Sequence, residues 1–82
     1  MTNESQRSLE IPLTVLGSGG RAIVASLHGG HNFNRRLAAM GIYPGTEITL
    51  IRSNGPLMVE VRGVRYIIGR GVAHRVMVSA MT

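Results

Sequence analysis

A chain of 82 residues lies at the small end of single domains, where folding hides only about 60% of the surface the unfolded chain exposes, so a second domain is excluded. The absence of cysteine rules out disulfides, thiolate metal sites and cysteine nucleophiles, and a composition 44% hydrophobic against 16% charged argues for a packed domain. The net charge of +5, with nine arginines, four glutamates and neither lysine nor aspartate, favours acidic partners without choosing among them.

The first ten residues are polar and aperiodic and read as a flexible tail, residues 1–10, ahead of a domain spanning 11–82. No apolar run reaches the ~18 residues needed to cross a bilayer. "MTNESQRSLE" also lacks the apolar core of a secretion signal, so a soluble cytoplasmic protein is expected. "LTVLGSGG" leads into "RAIVASL", where Ala22 and Val24 share one strand face and Leu27 breaks the alternation as a residue beyond a bulge would. In "HGGHNFNRRLAAMG", Phe33, Leu37 and Met40 fall on one helical face. Asn32 or Asn34 can cap the start, and Gly41 suits the left-handed position at the end. A helix of about two turns is marginal alone, so Phe33 and Leu37 must pack it onto something larger. Tyr43-Pro44-Gly45-Thr46 then predicts a type II turn.

Three strand signals follow. Ile48 and Leu50 share a face in "TEITLIRS", Leu57, Val59 and Val61 in "PLMVEVR", and Val64, Tyr66 and Ile68 in "VRYII". Asn54-Gly55 signals a hairpin that Pro56, lacking an N–H, lengthens beyond two residues, and Gly63 marks a second tight turn. "GRGVAH" is a short irregular or helical connection, and "RVMVSA" ends the domain with Val76 and Val78 inward. About five short strands with one short helix give an all-β class. Closing so small a sheet removes its edges, which points to a small SH3-like barrel ahead of an OB fold.

Chemistry is scarce. Glu4 and Glu10 fall in the tail, and Glu47 and Glu60 occupy outward strand positions where solvated charge is the ordinary state and where meeting across strands would set like charges together, so neither two-carboxylate catalysis nor any catalytic residue is expected. "GSGG" lacks the lysine and Ser/Thr of a phosphate loop and precedes a strand. His28 and His31 form an H-x-x-H pair. Two imidazoles make a weak site that His74 or a partner's side chain would have to complete, so no metal or cofactor is expected and this pair is the alternative. Nucleic acid is not expected either, because binding single strands needs exposed aromatics and Phe33 and Tyr66 fall on inward positions.

"RRLAAMGIYPGTEITLI" resembles the signature of the FeoA family: paired arginines and leucine, a Met-Gly-Ile corner, Pro-Gly, then an alternating strand. The resemblance continues through "GPLMVEVRGVRYIIGRGVAHRVMV" and covers roughly residues 13 to 80. It implies a cytoplasmic SH3-like protein of ferrous iron transport without established catalysis. The implied partner is the membrane transporter FeoB, whose cytoplasmic part is a GTPase, and contact with the membrane is through that partner only. A similar module ends the iron-dependent repressors of the DtxR type, which gives the alternative reading of a metal-sensing or nucleic-acid-binding module. The glycine-rich "HGGH" before the helix departs from the family pattern. Arg35 and Arg36, with Met40, Ile42 and Tyr43 at the corner, form the expected partner-binding patch, suited to docking an acidic face.

Overall fold

The structure is a computed structural model that describes residues 9–81. Its strands are β1 (Glu10–Pro12), β2 (Arg21–Leu27), β3 (Glu47–Ser53), β4 (Leu57–Val61), β5 (Val64–Ile68) and β6 (Val76–Ala80), with helices α1 (His31–Ala39) and α2 (Arg70–His74) and one 3-10 turn at Leu13–Val15. All six strands join one sheet in the order β1-β6-β2-β3-β4-β5, every pair antiparallel. The sixth strand is β1, where Glu10 pairs with Ser79. Glu10 therefore belongs to the folded domain and not to the tail; the rest of the expected tail, apart from Leu9, lies outside the described residues.

Alternation carries the core. Ala22 opposite Ile48, Val24 opposite Val78 and Leu50 opposite Val59 are all buried pairs facing one interior. The register of β2 against β6 shifts between Val24 and Ser26, the bulge that brings Leu27 back opposite Val76. Glycines of the "GSGG" loop serve the sheet: Gly19 donates to Leu50 O at 2.6 Å, and Gly20 O accepts from Leu50 N at 2.8 Å. Ser53 pairs with Leu57 across Asn54-Gly55-Pro56, so that loop does run beyond two residues. The β4–β5 turn is tighter, with Val61 opposite Val64 and both Arg62 (φ 53°) and Gly63 (φ 82°) left-handed, as a type I′ turn requires. "GRGVAH" forms α2, and Val64, expected inward with Tyr66 and Ile68, is 49% exposed because it sits at the last pair of the sheet's edge.

Helix α1 starts differently from the sequence expectation. Neither Asn32 nor Asn34 caps it; both lie inside its first turns, and Gly30 (φ 91°, ψ 179°) stands at the cap with its carbonyl accepting from Asn34 N at 3.0 Å. Gly29 lies so close to the Phe33 ring that a side chain there would collide with it, whereas Gly30 has open space beside it and is favoured by its φ of 91°. At the other end, Gly41 N donates to Ala38 O and Ile42 N to Leu37 O, both at 2.9 Å, with Gly41 at φ 85°. This is the Schellman arrangement, in which the residue after the left-handed glycine packs against the helix's last turn. Phe33 and Leu37 are buried and hold α1 on the core.

Candidate docking surface

Phe33 and Leu37 are four apart and share the inward stripe of α1, so Arg35 and Arg36 fall on the outward side. Both are exposed, and with Asn32 and Ala39 they line a shallow open depression on the helix face. Among the described residues neither guanidinium has a hydrogen-bond or ion-pair partner. Met40, the helix's last cap, is half-buried and packs against the core.

Ile42 departs from the expected patch. It is fully buried, because the Schellman bond from its N–H to Leu37 O turns its side chain inward beside Leu37. The surface therefore loses Ile42. It keeps Tyr43, 37% exposed, on a turn fixed to β2 at two points: Gly45 N donates to Val24 O and Val24 N to Thr46 O, each at 2.8 Å. Thr46 N bonds Tyr43 O at 3.1 Å across the turn, with Gly45 at φ 96°, as type II geometry needs at its third position.

Arg62 is the residue that sequence reasoning missed. Its Nη2 donates to Tyr43 Oη at 2.6 Å, and its Cζ lies 5.7 Å from the centroid of the Tyr43 ring. Nothing in the pattern points to it, since a left-handed turn position calls for Asn, Asp or Gly. Below this pair an open groove of about 580 Å³ is lined by Pro44, Thr46, Glu47, Thr49 and Glu60 among others. Its two carboxylates are ion-paired and not simply solvated: Arg21 Nε lies 3.1 Å from Glu47 Oε2, and Arg65 Nε 3.2 Å from Glu60 Oε1.

The histidines are engaged separately. His28 Nε2 lies 2.9 Å from Ser26 Oγ, the backbone N–H of His28 donates to Arg75 O at 2.9 Å, His31 opens α1 and His74 closes α2. Among the described residues no three His, Cys, Asp or Glu side chains gather to hold a metal ion. Arg75 stacks over Phe33, its Cζ 5.9 Å from the ring centroid, and Tyr66 is half-buried, leaving Tyr43 the exposed aromatic. Among the described residues no helix is long and apolar enough to cross a membrane.

Comparison with known proteins gives a consistent set of likenesses. The FeoA domain family matches residues 11–80. A protein of Methanocaldococcus jannaschii named as a Fe(2+) transport protein A is 37% identical over 69 residues, 83% of this chain and 84% of the relative. Among solved structures, an iron uptake regulatory protein, FeoA, superposes with a TM-score of 0.84 at 42% identity, over 90% of this chain and all of the other. The zinc-complexed FeoA of Stenotrophomonas maltophilia, described as a prokaryotic SH3 domain protein, does so with a TM-score of 0.73 at 26% identity, over 88% and 91%. A manganese-dependent transcriptional repressor shares the fold alone, at 17% identity.

Proposed function

This chain belongs to the FeoA family, and from that premise we propose that it is a non-enzymatic cytoplasmic accessory protein of ferrous iron uptake that docks on the GTPase-bearing part of a FeoB-type transporter and modulates it. The observation that carries the docking reading is the outward face of α1. Arg35 and Arg36 stand there without a carboxylate partner among the described residues, on a helix whose two ends are fixed by the Phe33–Leu37 packing and the Schellman closure. A guanidinium held on a rigid element offers bidentate bonds to a carboxylate at little entropic cost. Met40 and Tyr43, at the corner that follows the helix, supply apolar and aromatic area, the residue types that anchor interfaces. The absence of chemistry in this reading rests on the ion-paired state of Glu47 and Glu60.

Calorimetric titration of the purified chain into the purified cytoplasmic region of such a transporter tests the reading. An Arg35→Glu, Arg36→Glu double variant is expected to bind at least tenfold more weakly while its thermal midpoint stays within a few degrees of the parent, since both side chains are exposed. Equal binding by parent and variant refutes the assignment of this face.

A further inference from the structure

Asn54-Gly55 is the single Asn-Gly step in the chain, and the fold leaves it unguarded. It lies between β3 and β4, beyond the pair of Ser53 with Leu57, and Asn54, Gly55 and Pro56 are all exposed. Among the described residues Arg62 is the only non-glycine with positive φ, so Asn54 has a negative φ and the loop is not the type I′ turn that Asn-Gly favours. Pro56 has no N–H with which to close the loop on Ser53 O. Gly55 N–H and the Asn54 side-chain amide meet no hydrogen-bond partner among the described residues, and open space lies where a Cβ of Gly55 would stand. The backbone nitrogen that follows Asn54 is thus neither occupied by a hydrogen bond nor screened by a side chain. What is fixed lies to either side of it: Arg70 Nη1 donates to Ser53 Oγ at 3.3 Å and to Gly55 O at 3.0 Å. The other asparagines lack this combination, since Asn32 and Asn34 stand inside α1 and are followed by Phe33 and Arg35, and Asn3 is followed by Glu4.

We propose that Asn54 is a self-modification site, at which the folded chain converts its own asparagine to aspartate and isoaspartate. The deprotonated Gly55 nitrogen attacks Asn54 Cγ and bonds to it, and Nδ2 leaves as ammonia after taking up a proton from water. The resulting five-membered imide then adds one water. Opening at Cγ gives aspartate, and opening at the Asn54 backbone carbonyl gives isoaspartate, whose chain runs on through Cβ and Cγ. Asparagine and water thus become the acid and ammonia, with nothing oxidised or reduced. The net charge falls by one from +5, and a chain with no aspartate gains a carboxylate in a loop tied to Arg70. The two products differ in the backbone. Aspartate keeps its length, whereas isoaspartate adds a methylene between Ser53 and Leu57, the pair that closes the hairpin over the buried Leu50 and Val59. This reaction shares no residue with the outward face of α1 and does not depend on docking there.

The test keeps the purified full-length chain in buffer and follows it by cation exchange and peptide mapping, beside a free peptide of sequence Ile51 to Leu57. A fraction should appear that elutes earlier and is heavier by about 1 Da, with the change mapped to position 54. Its isoaspartate part should accept a labelled methyl group from S-adenosylmethionine and isoaspartyl methyltransferase. The rate in the folded chain should come within about tenfold of the free peptide's and exceed that at Asn3, Asn32 or Asn34 by about tenfold or more. It should rise about tenfold from pH 7 to pH 8, because the deprotonated nitrogen reacts. Asn54→Gln, which would have to close a six-membered ring, should lose the fraction and keep the parent's urea midpoint, the position being exposed. The isoaspartate fraction should unfold at lower urea than the parent, and Asn54→Asp, with the same charge and no added methylene, should not. The inference is overturned if the folded chain reacts about a hundredfold or more slowly than the free peptide, if another asparagine reacts first, or if the rate ignores pH. Equal urea midpoints for the isoaspartate fraction and Asn54→Asp would overturn the effect assigned to the backbone.

Discussion

Replacing Gly29 by alanine sets a methyl group against the ring that anchors α1. The new Cβ would lie 2.5 and 2.7 Å from Cδ2 and Cδ1 of Phe33 and closer still to Cγ, distances that real Cβ atoms essentially never show. Gly29 is not left-handed, so alanine can adopt its backbone and the cost is steric alone. Rotating the ring cannot clear Cγ, its point of attachment. Either the backbone shifts, at roughly 1–3 kcal/mol, or Phe33 leaves its site, with roughly the 3–5 kcal/mol of a Phe→Ala change as the ceiling. A loss of about 2–3 kcal/mol is expected, a large share of the ~4–12 kcal/mol typical of a domain this size. It should lower the thermal midpoint by about 10–20 °C. Urea unfolding of Gly29→Ala, Phe33→Ala and the double variant measures it. In the Phe33→Ala background the collision has no partner, so the alanine should cost nothing further. Equal costs in both backgrounds, or a Gly29→Ala loss under about 0.5 kcal/mol, would refute the reasoning.

Ile42→Ala should cost about 2–4 kcal/mol in the same assay, because it empties a fully buried site, whereas Met40→Ala at the half-buried cap should cost about 1 kcal/mol or less. Thr46 is 7% exposed and its Oγ1 has no hydrogen-bond partner among the described residues. Thr46→Val, nearly the same shape, should therefore raise stability by about 1 kcal/mol, read as a higher urea midpoint. Arg62→Gly relieves a left-handed non-glycine residue, worth roughly 1–2 kcal/mol, while losing a hydrogen bond and a stacked cation of similar combined size. Its thermal midpoint should stay near the parent's, and Tyr43→Phe should then have no further effect.

Most of the fold is legible in the sequence because side-chain period is a strong signal where one face is buried. Val24, Ile48, Leu50, Val59 and Val78 are placed by alternation alone, and Gly41 and Pro44-Gly45 by the backbone conformations they permit. The failures have separate causes. Asn32 and Asn34 look like caps because asparagine is a good cap, but the helix begins earlier, at His31, with Gly30 at the cap and both asparagines inside the first turns. Ile42 looks exposed because corners usually are, and only the Schellman hydrogen bond reveals that it points inward. β1, three residues long, is too short for any period to show, and its pairing with β6 is a tertiary fact. The open edge at β5 is equally hidden, since alternation assigns faces and is silent on which strand lacks a neighbour.

The composition of the proposed docking face follows from how the helix is closed. A two-turn helix needs nearly every apolar residue near it for its own attachment, so Phe33, Leu37, Ile42 and part of Met40 are taken by the core. What remains outside is the arginine pair and Tyr43, on a corner that cannot drift because its turn is bonded into β2. Tyr43 is held a second time by Arg62, from a position where glycine or asparagine would make the turn without strain. Neither of those side chains could reach from the β4–β5 turn to the tyrosine hydroxyl. The strain at Arg62 is thus matched by the orientation it gives Tyr43, and a rigidly oriented aromatic side chain loses little entropy on meeting a partner.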